Sequence, residues 1–277
     1  MIKDILVNLP VEGSRDVVTC FAVSGAARFG AHLTGIAFLY EPLMPIMVDM
    51  YGVPPGIIES QRIESEKAAK AAVARFEEAA RLAGISGEAR ALDAPVGAAP
   101  STLARIARRF DLSVIAQPEP NQPALSRVFV EAALFETGRP LLIVPYIQAA
   151  PLKLDRIMLC WDGSRSAARA VGDALPFLLQ SKATEIVMVS GEPAKSDELP
   201  GADIGHHLAR HGIKAEVKVI ASPEIDIADT ILSYAADQSV DLLVMGGYGH
   251  SRMREFMLGG VTRGILASMT FPTLMSH

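Results

Sequence analysis

Leu242-Leu243-Val244-Met245-Gly246-Gly247-Tyr248-Gly249 is an apolar run that stops on glycines, and nine residues separate Gly249 from Gly259-Gly260-Val261-Thr262. The run predicts a buried strand over 242–245, and 261–267 predicts a helix. A strand that ends in glycines and hands over to a helix N-terminus is the usual phosphate cradle of an α/β protein. Glycines let backbone N–H groups approach an anion, and the helix start adds partial positive charge.

Working outward, the second half alternates strands and helices. Strands are expected over 157–160, 185–189, 215–220 and 273–275, and helices over 164–179, 202–211 and 226–239. The first half repeats the pattern, with strands over 5–9, 33–39, 87–92, 112–116 and 141–144 and helices over 14–29, 59–83 and 100–110. Ser14, Arg15 and Asp16 are cap material for the first helix. A proline-rich loop over 41–55 carries Met44, Met47 and Met50 as gap-filling packing. Residues 109–115 lie over 238–244, 138–144 over 270–275, and 3–7 over 155–159, so the chain is an internal duplication. Strand–helix alternation implies parallel sheets covered on both faces. The expected fold is α/β: two tandem doubly wound, five-stranded, Rossmann-like domains over 1–148 and 153–277, joined as an intramolecular pseudo-dimer. In such sheets ligands bind beyond the C-terminal strand ends, where the strand order switches.

The chain has 277 residues, half of them apolar, and a net charge of −5. That charge gives no electrostatic case for nucleic acid or an anionic membrane as partner, so a nucleotide must be held by local geometry. No apolar run reaches the length of a membrane span, and the N-terminus lacks signal-peptide architecture, so a cytoplasmic protein is expected. Cys20 and Cys160 sit in apolar segments and read as buried free thiols.

On these residues the chain resembles the universal stress protein family, in its tandem two-domain form. The family's nucleotide pattern is glycine, two residues, glycine, nine residues, glycine, then serine or threonine. Gly246, Gly249 and Gly259 fall on its glycines; Gly260 stands where the family has a hydroxyl, and Thr262 where members often carry a second one. The resemblance implies ATP or a related adenine nucleotide, with Mg²⁺ carried largely by the phosphates. It implies phosphate contact from the backbone between Gly249 and Thr262, including Val261. It puts Asp162, in Trp161-Asp162-Gly163-Ser164, near adenine and ribose, and Val189 against adenine, with Ser190, Ser222 and Pro223 on the same rim. It also implies antiparallel pairing of 141–144 with 273–275 inside the chain, and leaves a homodimer open.

Taken alone, Asp162-Gly163-Ser164 is equally a turn and helix cap. His250, with Arg252 and Arg254, either reaches phosphate oxygens or is ordinary loop charge. His206, His207 and His211 share a helix; His207 and His211, four apart, have metal-ligand spacing, but a solvated helix face is the favoured reading, and Arg105, Arg108 and Arg109 form a basic helix end. After the fourth strand the first half reads Gln117-Pro118-Glu119-Pro120-Asn121-Gln122-Pro123, which lacks the glycines and the N–H donors of a phosphate site. There is no nucleophile elbow, Walker lysine or suitably placed carboxylate pair, so no catalytic residue is assigned. By resemblance the role is a stress-response sensor with at most slow hydrolysis. The rival readings are an adenine-nucleotide α-hydrolase-type enzyme and a ligand-free interaction protein in which Gly259-Gly260 only allows close packing.

Overall fold

The computed structural model describes residues 1–11, 16–40, 55–95, 97–118, 123–190, 201–221, 226–247 and 260–277. The methionine-bearing loop, Ser14, Arg15, Ser222, Pro223, Gly249, His250, Arg252, Arg254 and Gly259 lie outside the described residues.

Strands and helices alternate along the described chain. The first half contains β1 (Asp4–Asn8), α1 (Val17–Phe29), β2 (His32–Tyr40), α2 (Pro55–Ala83), β3 (Gly87–Ala94), α3 (Ala99–Ala107), β4 (Leu112–Ala116), α4 (Pro123–Glu136) and β5 (Leu141–Val144). The second contains β6 (Arg156–Cys160), α5 (Arg165–Leu178), β7 (Ala183–Ser190), α6 (Ala202–Arg210), β8 (Ala215–Ala221), α7 (Ile227–Asp237), β9 (Leu242–Gly246), α8 (Gly260–Ser268) and β10 (Thr273–Ser276).

The chain forms two compact units. One consists of Ile2–Ala116 and Val128–Arg139; the other of Gln117–Arg127 and Pro140–His277, with Met1. In the first, parallel strands run in the order β3-β2-β1-β4. In the second the order is β8-β7-β6-β9-β10-β5, parallel except that β5 runs antiparallel to β10, with Leu142 opposite Leu274. The fold is therefore α/β with mostly parallel sheet. The inner strands are buried on both faces: β5 is wholly apolar and buried, Leu242 to Met245 of β9 are buried, and β10 is buried throughout although it begins with Thr273 and ends with Ser276.

One device appears in both units. The Asp111 carboxylate accepts the backbone N–H groups of Lys3 (2.7 Å) and Asp4 (3.1 Å), at the foot of β1. Asp241 accepts that of Arg156 (2.9 Å), at the foot of β6. Asp111 is thus the counterpart of Asp241, as Leu112 opposite Ile5 is the counterpart of Leu242 opposite Ile157. This corrects the superposition of 109–115 on 238–244, which is displaced by one residue. An apolar run buried on both faces has no alternation to fix its register, so only the flanking aspartate could have done so.

Sequence reasoning missed α4. Its residues are apolar on most of the turn, with Phe129, Val130, Ala132, Ala133 and Leu134 all buried, so no clean helical stripe stands out behind the proline-rich run. Pro123 is the first residue of this helix, the position where a missing N–H costs nothing. Arg108 is not merely a dipole partner for its own helix. Its Nε donates to the carbonyl of Glu136, the last residue of α4, at 3.0 Å. Cys20, expected buried, is exposed on α1, because the buried stripe of that helix runs through Val18, Thr19, Phe21 and Ala22.

Candidate functional site

At the C-terminal ends of β6, β7 and β9 lies a cavity of about 290 Å³, at the low end for small-molecule sites. It straddles the point where the chain, having left β6 for β7 on one side, returns as β9 on the other. Asp162, Val189, Gly246, Gly260, Val261 and Thr262 all line it. These six are sequence-predicted site residues, and the structure brings them together at this cavity.

Three helices begin at its wall. Ala167 is in the first turn of α5, Ile227 is the first residue of α7, and Gly260 to Thr262 open α8. Each helix start carries N–H groups with no partner inside the helix and the positive end of its dipole. Two of the starts are capped by their own side chains. Ser164 Oγ accepts the N–H of Ala167 at 3.1 Å, and Asp226 Oδ1 accepts that of Ala228 at 2.8 Å.

The turn into α5 explains the Asp-Gly-Ser sequence. Asp162 Oδ1 accepts the N–H of Ser164 at 2.9 Å, closing a tight turn over Gly163. Gly163 has φ +73°, a conformation costly for any residue with a Cβ. Asp162 is exposed and lines the cavity, so its turn role and a place in the cavity lining coexist.

Gly246 has a different reason to be glycine from the one its motif suggests. A Cβ there would lie 2.5 Å from the backbone nitrogen of Ala167 and 2.6 Å from the carbonyl carbon of Ser166. The first turn of α5 therefore rests on the bare backbone of β9. The next N–H, that of Gly247, is used by the sheet, donating to the Ser276 carbonyl at 2.8 Å. Gly260 is the opposite case: a Cβ there meets nothing within 4 Å.

Sequence reasoning did not pick out the apolar wall, formed by Trp161, Val187, Ile227, Ile231 and Met245, with Cys160 beside it. The signal existed. Val187 and Val189 are two apart near the end of a strand, and Ile227 and Ile231 are four apart on a helix, so each pair shares a face. Burial pushes the Cys160 thiol up to about 12, and the Asp162 carboxylate adds to the rise, so this sulfur stays a protonated, inert part of the wall.

The predicted residues elsewhere are not brought here. His206, His207 and His211 are exposed, with the rings of His207 and His211 4.8 Å apart edge to face. Among the described residues no group of three or more histidine, cysteine or acidic side chains could hold a metal ion.

Residues 153–277 match the Universal stress protein family. They form a universal stress protein domain. A universal stress protein of Synechocystis sp. is 26% identical over 125 residues, covering 44% of this chain and 42% of that protein, so the match spans less than half the length of either. Over 99% of the chain, the fold is similar to that of a universal stress protein from Archaeoglobus fulgidus (TM-score 0.71, 15% identity, 97% of that chain). A functionally unknown protein from Pseudomonas aeruginosa is similar over the same share (TM-score 0.63, 13% identity, 92% of that chain). At such identities the structural likenesses carry the fold alone. No helix among the described residues is long and apolar enough to cross a membrane.

The two described glycines of the motif should behave oppositely. Gly246→Ala should lower the unfolding free energy by roughly 1–3 kcal/mol in urea titrations, because backbone atoms must move. Gly260→Ala should leave it unchanged or raise it by up to about 1 kcal/mol. Thiol titration at pH 8 should modify Cys20 rapidly and Cys160 only on unfolding, since with a pKa of about 12 the thiolate fraction of Cys160 is on the order of one in ten thousand. Rapid reaction of both thiols in the native protein would contradict that burial.

Proposed function

We propose that this protein is a stress-response regulator that binds ATP or a related adenine nucleotide in the cavity of its universal stress protein domain. The observation that carries the reading is the make-up of that cavity: one wall is apolar and aromatic, and the opening residues of α8, Gly260 to Thr262, form another part of the lining. An adenine nucleotide has the same two ends, a flat weakly polar base and a polyanion. Helix starts attract anions without any net positive charge on the protein, which suits a chain of charge −5.

In this reading the base lies against Val187 and Val189, Asp162 meets the ribose, and the phosphates meet the opening turn of α8 at Gly260, Val261 and Thr262. Gly249, His250 and Gly259 belong to the segment that leads into α8 and complete the phosphate contact. Mg²⁺ arrives with the triphosphate and is held mainly by its oxygens, because no cluster of carboxylates stands ready for it among the described residues. With no base or lysine assigned to phosphoryl transfer, turnover is at most slow. The antiparallel pairing of β5 with β10 supports reading the two sequence halves as copies of one domain joined through their last strands.

Isothermal titration of the full chain with MgATP is the test. Saturable binding is expected. Gly249→Val and Gly259→Val should remove it, and Gly260→Ser should tighten it by adding a hydroxyl donor. A flat calorimetric trace for the wild-type protein would sink the proposal, and rapid multiple-turnover loss of ATP would replace it with an enzyme.

A further inference from the structure

Among the described residues that line the cavity one is aromatic, and it is the only tryptophan in the chain. Trp161 lines the cavity immediately beyond β6, half-buried, between Cys160 and Asp162. Its position is fixed by backbone bonding. Its N–H donates to the Val187 carbonyl at 2.9 Å, extending the β6–β7 ladder by one residue past Cys160 opposite Val187. It therefore stands on the β7 side of the strand-order switch, with Val187 and Val189, while the start of α8 and Gly246 stand on the β9 side.

This division matters for recognition. Val187, Val189, Ile227, Ile231 and Met245 give apolar contact to any ligand of suitable shape, but aliphatic surface does not single out a flat π-system. An indole does, because every nucleobase has a π-face that stacks on it. Resting on the nucleotide reading above, we infer that Trp161 is the stacking platform for the base and makes the site selective for ligands that carry an aromatic heterocycle. The Trp161 ring and the base lie face to face or offset, and the phosphates extend from there toward the opening turn of α8. Being a π-contact, the interaction favours purines over pyrimidines through their larger ring area.

The test compares MgATP binding to the full-length wild type, Trp161→Phe, Trp161→Leu and Trp161→Ala. Thermal melts of each variant check that it is folded at the temperature used. Because Trp161 is the sole tryptophan, emission excited at the indole band reports on this site alone. Saturating MgATP should shift or quench that emission in the wild type. Trp161→Phe, which keeps a π-face, should bind within a few-fold of wild type, while Trp161→Leu and Trp161→Ala should lose about tenfold or more. MgCTP should bind the wild type more weakly than MgATP, and the difference should shrink in Trp161→Leu.

Binding by Trp161→Leu at wild-type strength, or tryptophan emission unmoved by saturating MgATP, would overturn the stacking role and leave the nucleotide site standing. A wild type that binds no MgATP at all would overturn the nucleotide reading and the stacking with it.

Discussion

The geometry of the candidate site rests on an absence of atoms at Gly246. With any side chain there, β9 and the first turn of α5 could not both keep their places, because a Cβ would sit 2.5 Å from the Ala167 nitrogen. The contact sets how close the start of α5 comes to the sheet, and so where Ser164, Asp162 and Trp161 stand relative to β9. Cavity walls drawn from the ends of β6 and β9 depend on that spacing. A glycine usually read as making room for phosphate here makes room for a helix, and the helix in turn shapes the space for a ligand.

The two halves differ just past the matching strands β4 and β9. In one half Gly247 donates its N–H to Ser276, and in the other Gln117 donates to Val144, both at 2.8 Å, so the two residues are structural counterparts. Past Gly247 the chain continues into the glycine motif. Gln117 instead turns a buried side chain on the protein itself: its Nε2 donates to the Leu266 carbonyl at 2.9 Å and its Oε1 accepts the Tyr146 N–H at 3.3 Å. Leu266 lies in the last turn of α8, where carbonyls lack partners within the helix. A residue from the first half of the sequence thus holds the far end of the helix whose near end lines the cavity.

The α/β fold was legible because parallel strands covered on both faces must be written as mostly apolar runs between helical stretches, and 112–116, 141–144 and 242–245 are such runs. The same property hid the register, since a run without alternation can slide, and Asp111 and Asp241 were the fixed points that the comparison passed over. The helix α4 escaped for a related reason: it is apolar over most of its turn and follows a proline-rich run. At the site, the turn and cap of Asp162-Gly163-Ser164 could be read from sequence. The wall of Trp161, Val187, Ile227 and Ile231 left a weaker signal, pairs that share one face of a strand or a helix, and apolar residues look the same whether they face a core or a ligand.

The central question is whether one cavity accepts a base at one end and phosphates at the other. Crystals of the full chain grown with MgATP would answer this most directly. Electron density for adenine between Trp161 and Val189, with the phosphate chain at the opening turn of α8, is the predicted result. Nucleotide bound at another surface, or a cavity filled only by ordered water at saturating MgATP, would contradict it.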